Sequence, residues 1–180
     1  MRIFRILATI SVRRPKEFSV PPPLALALYE PDIPQNAGTL MRFGACMGIP
    51  VHLIEPAGFP TSDKAFLRAG MDYLQAVTII RHISFARFEI YRRAQGHRLV
   101  LATTKAAQPY YQASFQAGDI IMMGRESAGV PDAVHQIADL RITVPLRPTL
   151  RSLNVAVAAA MITGEALRQI GAFPDPTSAL

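Results

Sequence analysis

Short apolar runs alternate along the chain with longer segments in which apolar residues recur every three or four positions. Runs without polar alternation are typical of strands that are buried on both faces of a sheet. The predicted strands are 24–29, 51–54, 76–80, 99–103, 120–123 and 142–144. The predicted helices are 34–47, 62–69, 85–94, 131–137 and 152–170. This order predicts an α/β domain with a mostly parallel sheet flanked by helices.

The length of the chain suits a single domain. With 180 residues, half of them hydrophobic, the chain can bury one well-packed core. We predict a folded domain over 23–172, a basic disordered extension over 1–22 and a short tail over 173–180. Because the extension is rich in arginine and nearly free of acidic residues, a targeting segment or an RNA-contacting arm is the alternative.

The residue content disfavours several classes of protein. No apolar stretch approaches the roughly 20 residues that span a membrane. The single cysteine, Cys46, excludes an internal disulfide and a cysteine-based metal cluster, and the four histidines lack the spacing of zinc ligands. We therefore expect a cytoplasmic protein without a membrane segment and without a metal ion.

The net charge of the chain favours a polyanionic partner, but most of that charge lies outside the predicted domain. The formal net charge is +6, and residues 1–22 contribute +4 of it, from five basic residues and one acidic residue. The domain itself is only mildly basic. An argument for nucleic acid must therefore depend on where the arginines lie in the fold.

Ligands of parallel α/β sheets bind beyond the carboxyl ends of the strands, and the first loop there is unusual. It leads into helix 34–47, whose glycines each cost about 1 kcal/mol relative to alanine. Gly38 lies one turn before Arg42, so it clears space beside the guanidinium for a ribose or a phosphate. The alternative is that Gly38 allows close packing while Arg42 is solvated. The expected buried face comprises Ile33, Ala37, Leu40, Met41 and Gly44, followed by Met47 or Gly48.

The second unusual loop, 124–131, reads GRESAGVP and joins a buried strand to a short helix. Its two glycines would expose backbone N–H groups to a nucleotide-like ligand, and Glu126 could accept hydrogen bonds or orient a neighbour. The pattern is neither the phosphate-binding loop of ATPases nor the dinucleotide G-x-G-x-x-G, so both of those classes lose support. An ordinary turn is the alternative.

The third unusual stretch, 144–161, reads VPLRPTLRSLNVAVAAAM. Two prolines hold the loop extended, Arg147 and Arg151 lie on it, and Ser152 or Asn154 begins a helix that is apolar on all sides. Such a helix must be buried, and its alanines permit close packing against another helix or another subunit. The positive N-terminal end of the helix suits an anion.

In this order, the three loops resemble the motifs of the SPOUT class of RNA methyltransferases, and the resemblance covers 24–171. The motif residues are Asn36, Gly38 and Arg42, then Gly124, Glu126, Gly129 and Pro131, then Ser152, Leu153 and Asn154. Within the class, the segments LYEPDIPQNAG, IEPAGF, RAGMDY, TTK and GEALRQ are most similar to methyltransferases of the tRNA wobble position. The smallest members of the class act as dimers of the catalytic domain alone, which suits this length.

The resemblance implies a SPOUT fold with a deep trefoil knot near the C-terminus and S-adenosylmethionine bound in the knot. It also implies a homodimer that methylates the ribose 2′-hydroxyl of nucleotide 34, a cytidine or modified uridine, in the tRNA anticodon loop. The implied cofactor-binding residues are Ala102, Gly124, Val144, Ser152, Leu153 and Asn154. The implied catalytic residues are Arg42, Asn36 and Glu126. The candidate RNA-binding residues are Arg147, Arg151, Arg68, Arg81 and His82.

Several roles stay open within this resemblance. Asn36 either contacts the site or begins its helix, and Glu126 either orients a neighbour or reaches across to a second subunit. Several relatives carry a tyrosine before the Glu-Ala pair of the last helix, where this chain has Gly164, which puts tRNA affinity or site choice in doubt. The alternatives are the same chemistry at another tRNA position or on rRNA, or a non-catalytic RNA-binding module.

Overall fold

The computed structural model describes residues 22–62, 66 and 76–175 of the chain. The predicted extension and most of the tail fall outside this part. Within the described residues, six strands form one sheet in which every neighbouring pair is parallel, in the order β3-β2-β1-β5-β4-β6. The strands are β1 (Leu24–Tyr29), β2 (Val51–Ile54), β3 (Ile79–His82), β4 (Leu99–Ala102), β5 (Asp119–Met123) and β6 (Leu140–Ile142). The parallel sheet confirms the predicted fold class.

Helices cover both faces of the sheet. They are α1 (Pro34–Met47), α2 (Phe85–Ala94), α3 (Asp132–Ile137) and α4 (Val155–Ile170), with a 3-10 turn at Tyr110–Gln112. Of the predicted helix 62–69, the described part contains only Ser62 and Phe66, and Phe66 is helical and buried. No helix within the described ranges is long and apolar enough to cross a membrane.

Two strands begin two or three residues away from their predicted positions, and β4 and β5 each differ by one residue at one end. The third strand begins at Ile79 rather than at residue 76, because 76–78 form a turn. The sixth strand runs over Leu140–Ile142 rather than 142–144, because its pairing with β4 begins at Leu140. The polar Arg141 at this sheet edge hides the strand from a search for apolar runs, and Val144 has already left the sheet.

The strand order creates a switch point between β1 and β5. From β1 the chain builds outward through β2 to β3, whereas β4, β5 and β6 lie on the other side of β1. Connections at such a point leave the sheet in opposite directions and open a crevice at the carboxyl ends of the strands. The loops that follow β1, β4 and β5 therefore meet at one edge of the sheet.

The core consists of two apolar layers that the strands separate. Alternate residues of β1 point to opposite faces, so Leu26 packs in one layer and Ala27 in the other. The first layer includes side chains of α1 and α4, such as Leu40 and Ile162, and the second includes Phe88 of α2. Both faces of the sheet are therefore buried, and the strands do not alternate between apolar and polar residues, as the sequence predicts.

The buried face of α1 agrees with the prediction except at its two ends. Ala37, Leu40, Met41 and Gly44 are buried, whereas Ile33 is 41% exposed, Met47 is half-buried and Gly48 is exposed. Ile33 is the N-cap with extended backbone, so its side chain does not follow the helical periodicity. At Gly44, a β-carbon would lie 2.7 Å from Cγ2 of Val51, which explains the glycine by close approach of the strand.

The structure corrects the assignment of His82 to an RNA-binding surface. His82 is 6% exposed, and its Nε2 lies 2.9 Å from Nδ1 of His52, with one ring donating and the other accepting. Phe88 and Tyr91 of α2 pack against both rings. Burial lowers the pKa of His82 to about 4, and burial together with the neighbouring His82 and His97 lowers the pKa of His52 to about 3. Both rings are therefore neutral near pH 7.

We expect opposite effects from alanine at two interior glycines of helices. Gly44→Ala would place a β-carbon 3.0 Å from the carbonyl oxygen of Ile49 as well as against Val51, and should lower the free energy of unfolding by about 1–3 kcal/mol. At Gly164 the β-carbon would meet no described atom within 4 Å, so Gly164→Ala should raise that free energy by about 0.5–1 kcal/mol. Denaturant unfolding measures both, and a shift of the same sign in the two variants would contradict this account.

Candidate functional site

A cavity of about 450 Å³ opens at the carboxyl edge of the sheet, beyond β4 and β5 and beside the start of α1. Its size lies in the range of small-molecule sites. The polar part of its lining includes Asn36, Thr103, Thr104, Glu126, Thr143, Ser152 and Asn154. The apolar part includes Ala102, Met123, Val130, Val144, Leu146, Leu153, Val155, Ala158 and Ile162. All six residues that the sequence predicts for cofactor binding therefore line one cavity.

The loop between β5 and α3 folds back on itself along the cavity wall. The backbone amides of Arg125 and Gly129 each donate to the carbonyl oxygen of the other, at 3.0 and 2.7 Å. A β-carbon at Gly124 would lie 2.9 Å from the carbonyl carbon of Gly129, and Gly129 itself adopts a φ of +67°. The two glycines are thus required by the loop itself, and they let its backbone line the cavity.

A chain of hydrogen bonds, here called the amide relay, links the N-terminus of α4 to Glu126. Oδ1 of Asn154 accepts from the backbone amides of Ala156 and Val157 at 2.9 and 3.4 Å. Nδ2 of Asn154 donates to Oδ1 of Asn36 at 2.9 Å, and Nδ2 of Asn36 donates to Oε1 of Glu126 at 3.0 Å. The relay has one direction, because backbone amides only donate and a carboxylate only accepts.

Asp32 anchors the same carboxylate from the other side. The backbone amide of Asp32 donates to Oε2 of Glu126, and the backbone amide of Glu126 donates to Oδ1 of Asp32, both at 3.2 Å. The hydroxyl of Ser127 donates to the other oxygen of Asp32. Hydrogen bonding to Glu126 and Ser127 lowers the pKa of Asp32, against the opposing effect of burial. Asp32 is absent from the site residues predicted from the sequence, because its role arises from contacts with residues 126 and 127 that have no local signature.

An ion pair beside Asp32 holds the loop that follows β1 to the loop that follows β5. Arg125 donates to Oε2 of Glu30 at 2.9 Å and to the backbone carbonyl of Glu30 at 3.1 Å. Glu30 adopts a φ of +43°, a left-handed conformation that is unfavourable for a side chain other than glycine. Such conformations persist only where the surroundings fix them, and they concentrate at functional sites. Arg125 is thus occupied within its own chain.

The geometry shows which residues begin α1 and α4, and so settles the helix-start role that the sequence leaves open for Asn36, Ser152 and Asn154. Asn36 does not begin α1, because Ile33 is the N-cap and no side chain caps the helix. Asn154 rather than Ser152 begins α4. Both carboxylate oxygens of Glu126 accept hydrogen bonds within its own chain, and its reach to a second subunit stays a prediction.

Arg42 does not line the cavity of its own chain. It lies exposed on α1, six residues after Asn36 and hence about 9 Å farther along the helix axis. The predicted catalytic set is therefore divided: Asn36 and Glu126 meet in the amide relay, and Arg42 stands on the neighbouring helical surface.

The remaining RNA-binding candidates differ in their surroundings. Arg147 and Arg151 are exposed on the loop before α4, whose Leu146 and Ser152 line the cavity. Arg81 is exposed at the end of β3, where its Nε donates to the carbonyl oxygen of Thr61. Arg68 lies outside the described residues.

The lining of the cavity fits a nucleoside-containing cofactor. Apolar side chains suit the faces of a base, whereas threonines, Ser152 and exposed loop backbone suit its polar edges and a ribose. Glu126 is the one carboxylate among the described lining residues, and its negative charge would favour a cationic group bound in the cavity. The described residues contain no group of three or more His, Cys, Asp or Glu that could hold a metal ion.

Several known proteins are similar to this chain in sequence and in fold. A curated relative from Beijerinckia indica, named tRNA (cytidine(34)-2'-O)-methyltransferase, is 62% identical over 82% of this chain and 92% of its own. A solved structure described as structural insights into the 2-OH methylation of C/U34 on tRNA has a TM-score of 0.76 at 39% identity, covering 83% of this chain and 97% of that one. An AdoMet-bound rRNA methyltransferase from Sinorhizobium meliloti has a TM-score of 0.73 at 26% identity, covering 83% and 58%.

The family assignment follows from these comparisons and from the site. The family model of the SpoU rRNA methylases matches residues 23–164, which include all three loops that form the cavity. The sheet with its cavity at the carboxyl edge is the fold of the SPOUT methyltransferases, and the resemblance seen in the sequence is confirmed. The chain belongs to the SpoU rRNA methylase family.

Proposed function

We propose that this protein transfers a methyl group from S-adenosylmethionine to the ribose 2′-hydroxyl of nucleotide 34 in the anticodon loop of tRNA. The observation that carries the proposal is the convergence of the three motif loops on one cavity through the amide relay and Asp32. The wobble-position activity of the relatives supports the choice of substrate, and a tRNA substrate favours a location in the cytoplasm.

The chain's own residues would hold the cofactor mainly through the loop backbone. Gly124 and the 152–154 segment would surround the adenosine, with Ala102 and Val144 against the base. When bound, the cofactor supplies a methyl group on a positively charged sulfur. The protein then has to orient the ribose hydroxyl, accept its proton and exclude water, which are tasks of positioning and electrostatics.

Arg42 serves this reaction as a cation rather than as a base. A guanidinium keeps its proton under all physiological conditions, so it cannot accept one from a hydroxyl. Its planar donor array suits a phosphate oxygen of the nucleotide or the negative charge that develops on the ribose oxygen. The exposed position of Arg42 leaves it accessible to a polynucleotide.

A homodimer would complete the site. Val157 and Met161 on α4 are 50% and 39% exposed, and Ile33 beside α1 is 41% exposed. Because α1 and α4 pack against each other, these side chains belong to one helix pair, which also carries Arg42. A second copy covering this face would remove the apolar side chains from water and bring Arg42 toward the neighbouring cavity.

The exposed arginines would bind the RNA backbone. Arg147 and Arg151 lie on the loop that borders the cavity, so phosphates bound there would lie next to the transferred methyl group. Arg81 stands at the far edge of the sheet and is the more distant candidate. Arg68, which lies outside the described residues, is proposed to bind RNA on the basis of the sequence alone.

Methylation of total tRNA with labelled S-adenosylmethionine, followed by mass-spectrometric mapping of the product, tests the proposed function. We expect 2′-O-methylation of nucleotide 34, and we expect Arg42→Ala to lower the rate at least about 100-fold while calorimetric affinity for the cofactor is unchanged. A product at another tRNA position, or methylation of ribosomal RNA supplied in place of tRNA, would establish the alternative substrate. Cofactor binding without transfer to any RNA would indicate a non-catalytic module, and equal loss of binding and transfer in Arg42→Ala would refute its role.

The proposed dimer is tested by charge substitutions at two exposed apolar positions. Met161→Lys should yield a monomer in sedimentation and lose methyl transfer, because it places a charge in the apolar interface. Ile83→Lys is the matched control, since Ile83 is 76% exposed but lies at the start of α2 on the opposite face of the sheet. The control should remain dimeric and active. A dimeric Met161→Lys protein, or a fully active monomer, would contradict the proposed interface.

A further inference from the structure

We infer that Gln169, in the last turn of α4, is a positioning residue for the cofactor, because it fixes a loop that shapes the cavity wall from a distance. The loop connects β4 to β5 over residues 103–118 and is here called the strap. Gln169 itself does not line the cavity and lies beyond the three motif loops. The inference rests on the proposed function only in taking S-adenosylmethionine as the ligand of the cavity.

The strap is long for a connection in a compact domain. Loops of more than about 12–15 residues with little secondary structure are uncommon, and many of them are functional. The strap contains one 3-10 turn, Tyr110–Gln112, and its first residues, Thr103 and Thr104, line the cavity. Its conformation therefore contributes directly to the shape of the site.

The middle of the strap also holds the segment that follows β6. The backbone amide of Thr143 donates to the carbonyl oxygen of Gln108, and the amide of Tyr110 donates to the carbonyl oxygen of Thr143, both at 2.9 Å. Thr143 and the next residue, Val144, line the cavity. The strap thus positions a second part of the wall in addition to its own first residues.

Gln169 ties the far end of the strap to α4. Its Oε1 accepts from the backbone amide of Phe115 at 3.0 Å, and its Nε2 donates to the carbonyl oxygen of Ala113 at 2.9 Å. The side chain therefore pairs with the strap as a neighbouring backbone would. Because Ala113 and Phe115 are only 3% and 8% exposed, backbone groups that lost these partners would have little access to water.

Glu165, one turn before Gln169, orients the amide of that side chain. Oε1 of Glu165 accepts from Nε2 of Gln169 at 2.8 Å, and both oxygens of Glu165 accept from Arg168. These hydrogen bonds, that of Arg168 first, lower the pKa of Glu165 to about 2, so it is ionised near pH 7 and cannot donate. The nitrogen of Gln169 therefore points toward Glu165 and Ala113, and its oxygen points toward the amide of Phe115.

One face of α4 serves both the cavity and the strap. Ala158, Ile162, Glu165 and Gln169 are spaced by three or four residues, so they lie along one side of the helix, and the first two line the cavity. Met161, which the proposed dimer would cover, lies on another side. A change at Gln169 therefore acts on the cavity of its own subunit, and the dimer should persist.

The order of the strap and the affinity for the cofactor are linked thermodynamically. If the cavity binds its ligand only while the strap is tied to α4, the ligand stabilises the tie as much as the tie strengthens binding. When the tied arrangement falls to about a tenth of the molecules, the dissociation constant rises about tenfold. The carbonyl oxygen of Ser114 still accepts from Arg98 at 2.7 Å, so a variant of Gln169 keeps another anchor and should fold.

Gln169→Met tests the inference, because methionine keeps a similar length and helix propensity but makes neither hydrogen bond. We expect the calorimetric dissociation constant for S-adenosylmethionine to rise about tenfold and KM for the cofactor to rise in parallel. The kcat at saturating cofactor and KM for tRNA should stay within about twofold. Gln95→Met, at the exposed C-cap of α2, is the matched control and should change none of these values.

Hydrogen exchange gives a readout that does not depend on methyl transfer. Without cofactor, the amide of Phe115 should exchange faster in Gln169→Met than in the unmodified protein, and the amides of Tyr110 and Thr143 should follow because the strap joins them. In the unmodified protein, S-adenosylmethionine should slow the exchange of all three amides.

The outcomes separate this inference from the proposed function. The inference is wrong if Gln169→Met leaves the exchange of Phe115 or the affinity for the cofactor unchanged. It is also wrong if kcat and both KM values deteriorate together, since Gln169 is then merely structural. If the unmodified protein binds the cofactor but methylates no RNA, the proposed function fails, whereas tenfold weaker binding in Gln169→Met still supports the role of Gln169. If it binds no cofactor, both are wrong.

Discussion

The amide relay from the start of α4 through Asn154 and Asn36 to Glu126 is the interaction on which the site depends. It begins at backbone amides that would otherwise lack a partner at the end of a helix, and it ends at a carboxylate on the cavity wall. Because each asparagine has one donor and one acceptor group, the relay fixes the orientation of both side chains. The relay thus holds the N-cap of α4, the first turn of α1 and the loop after β5 in fixed positions relative to one another.

The topology of the sheet explains why this relay can form. Asn36 and Asn154 are 118 residues apart, and Asn36 and Glu126 are 90 apart. They meet because β1 and β5 are neighbours at the switch point, so the loops that follow these strands leave the same edge of the sheet. The Arg125–Glu30 ion pair and the hydrogen bond from the amide of Glu126 to Asp32 also hold these loops together. The formation of the site therefore depends on the order of the strands in the sheet.

The sequence alone predicts the elements and the cavity residues well, because both follow from local pattern and from the motif resemblance. It misplaces the start of β6, where the polar Arg141 interrupts the apolar run, and it assigns His82 to a surface although the ring is paired in the core. It also misses Asp32, whose role arises only from contacts to 126 and 127. Long-range pairing has no local signature, so neither His82 nor Asp32 could be placed from spacing. The trefoil knot that the resemblance implies stays a prediction.

A double-mutant cycle on Asn154 and Glu126, which do not touch each other, tests the relay most directly. Asn154→Ser keeps a good helix cap but cannot reach Asn36, and Glu126→Ala removes the far end of the relay. If Asn36 connects them, their effects on the free energy of unfolding should couple by about 0.5 kcal/mol or more, and the coupling should vanish in an Asn36→Ala background. Additivity within about 0.3 kcal/mol in the original background would show that the three segments are held together by other means.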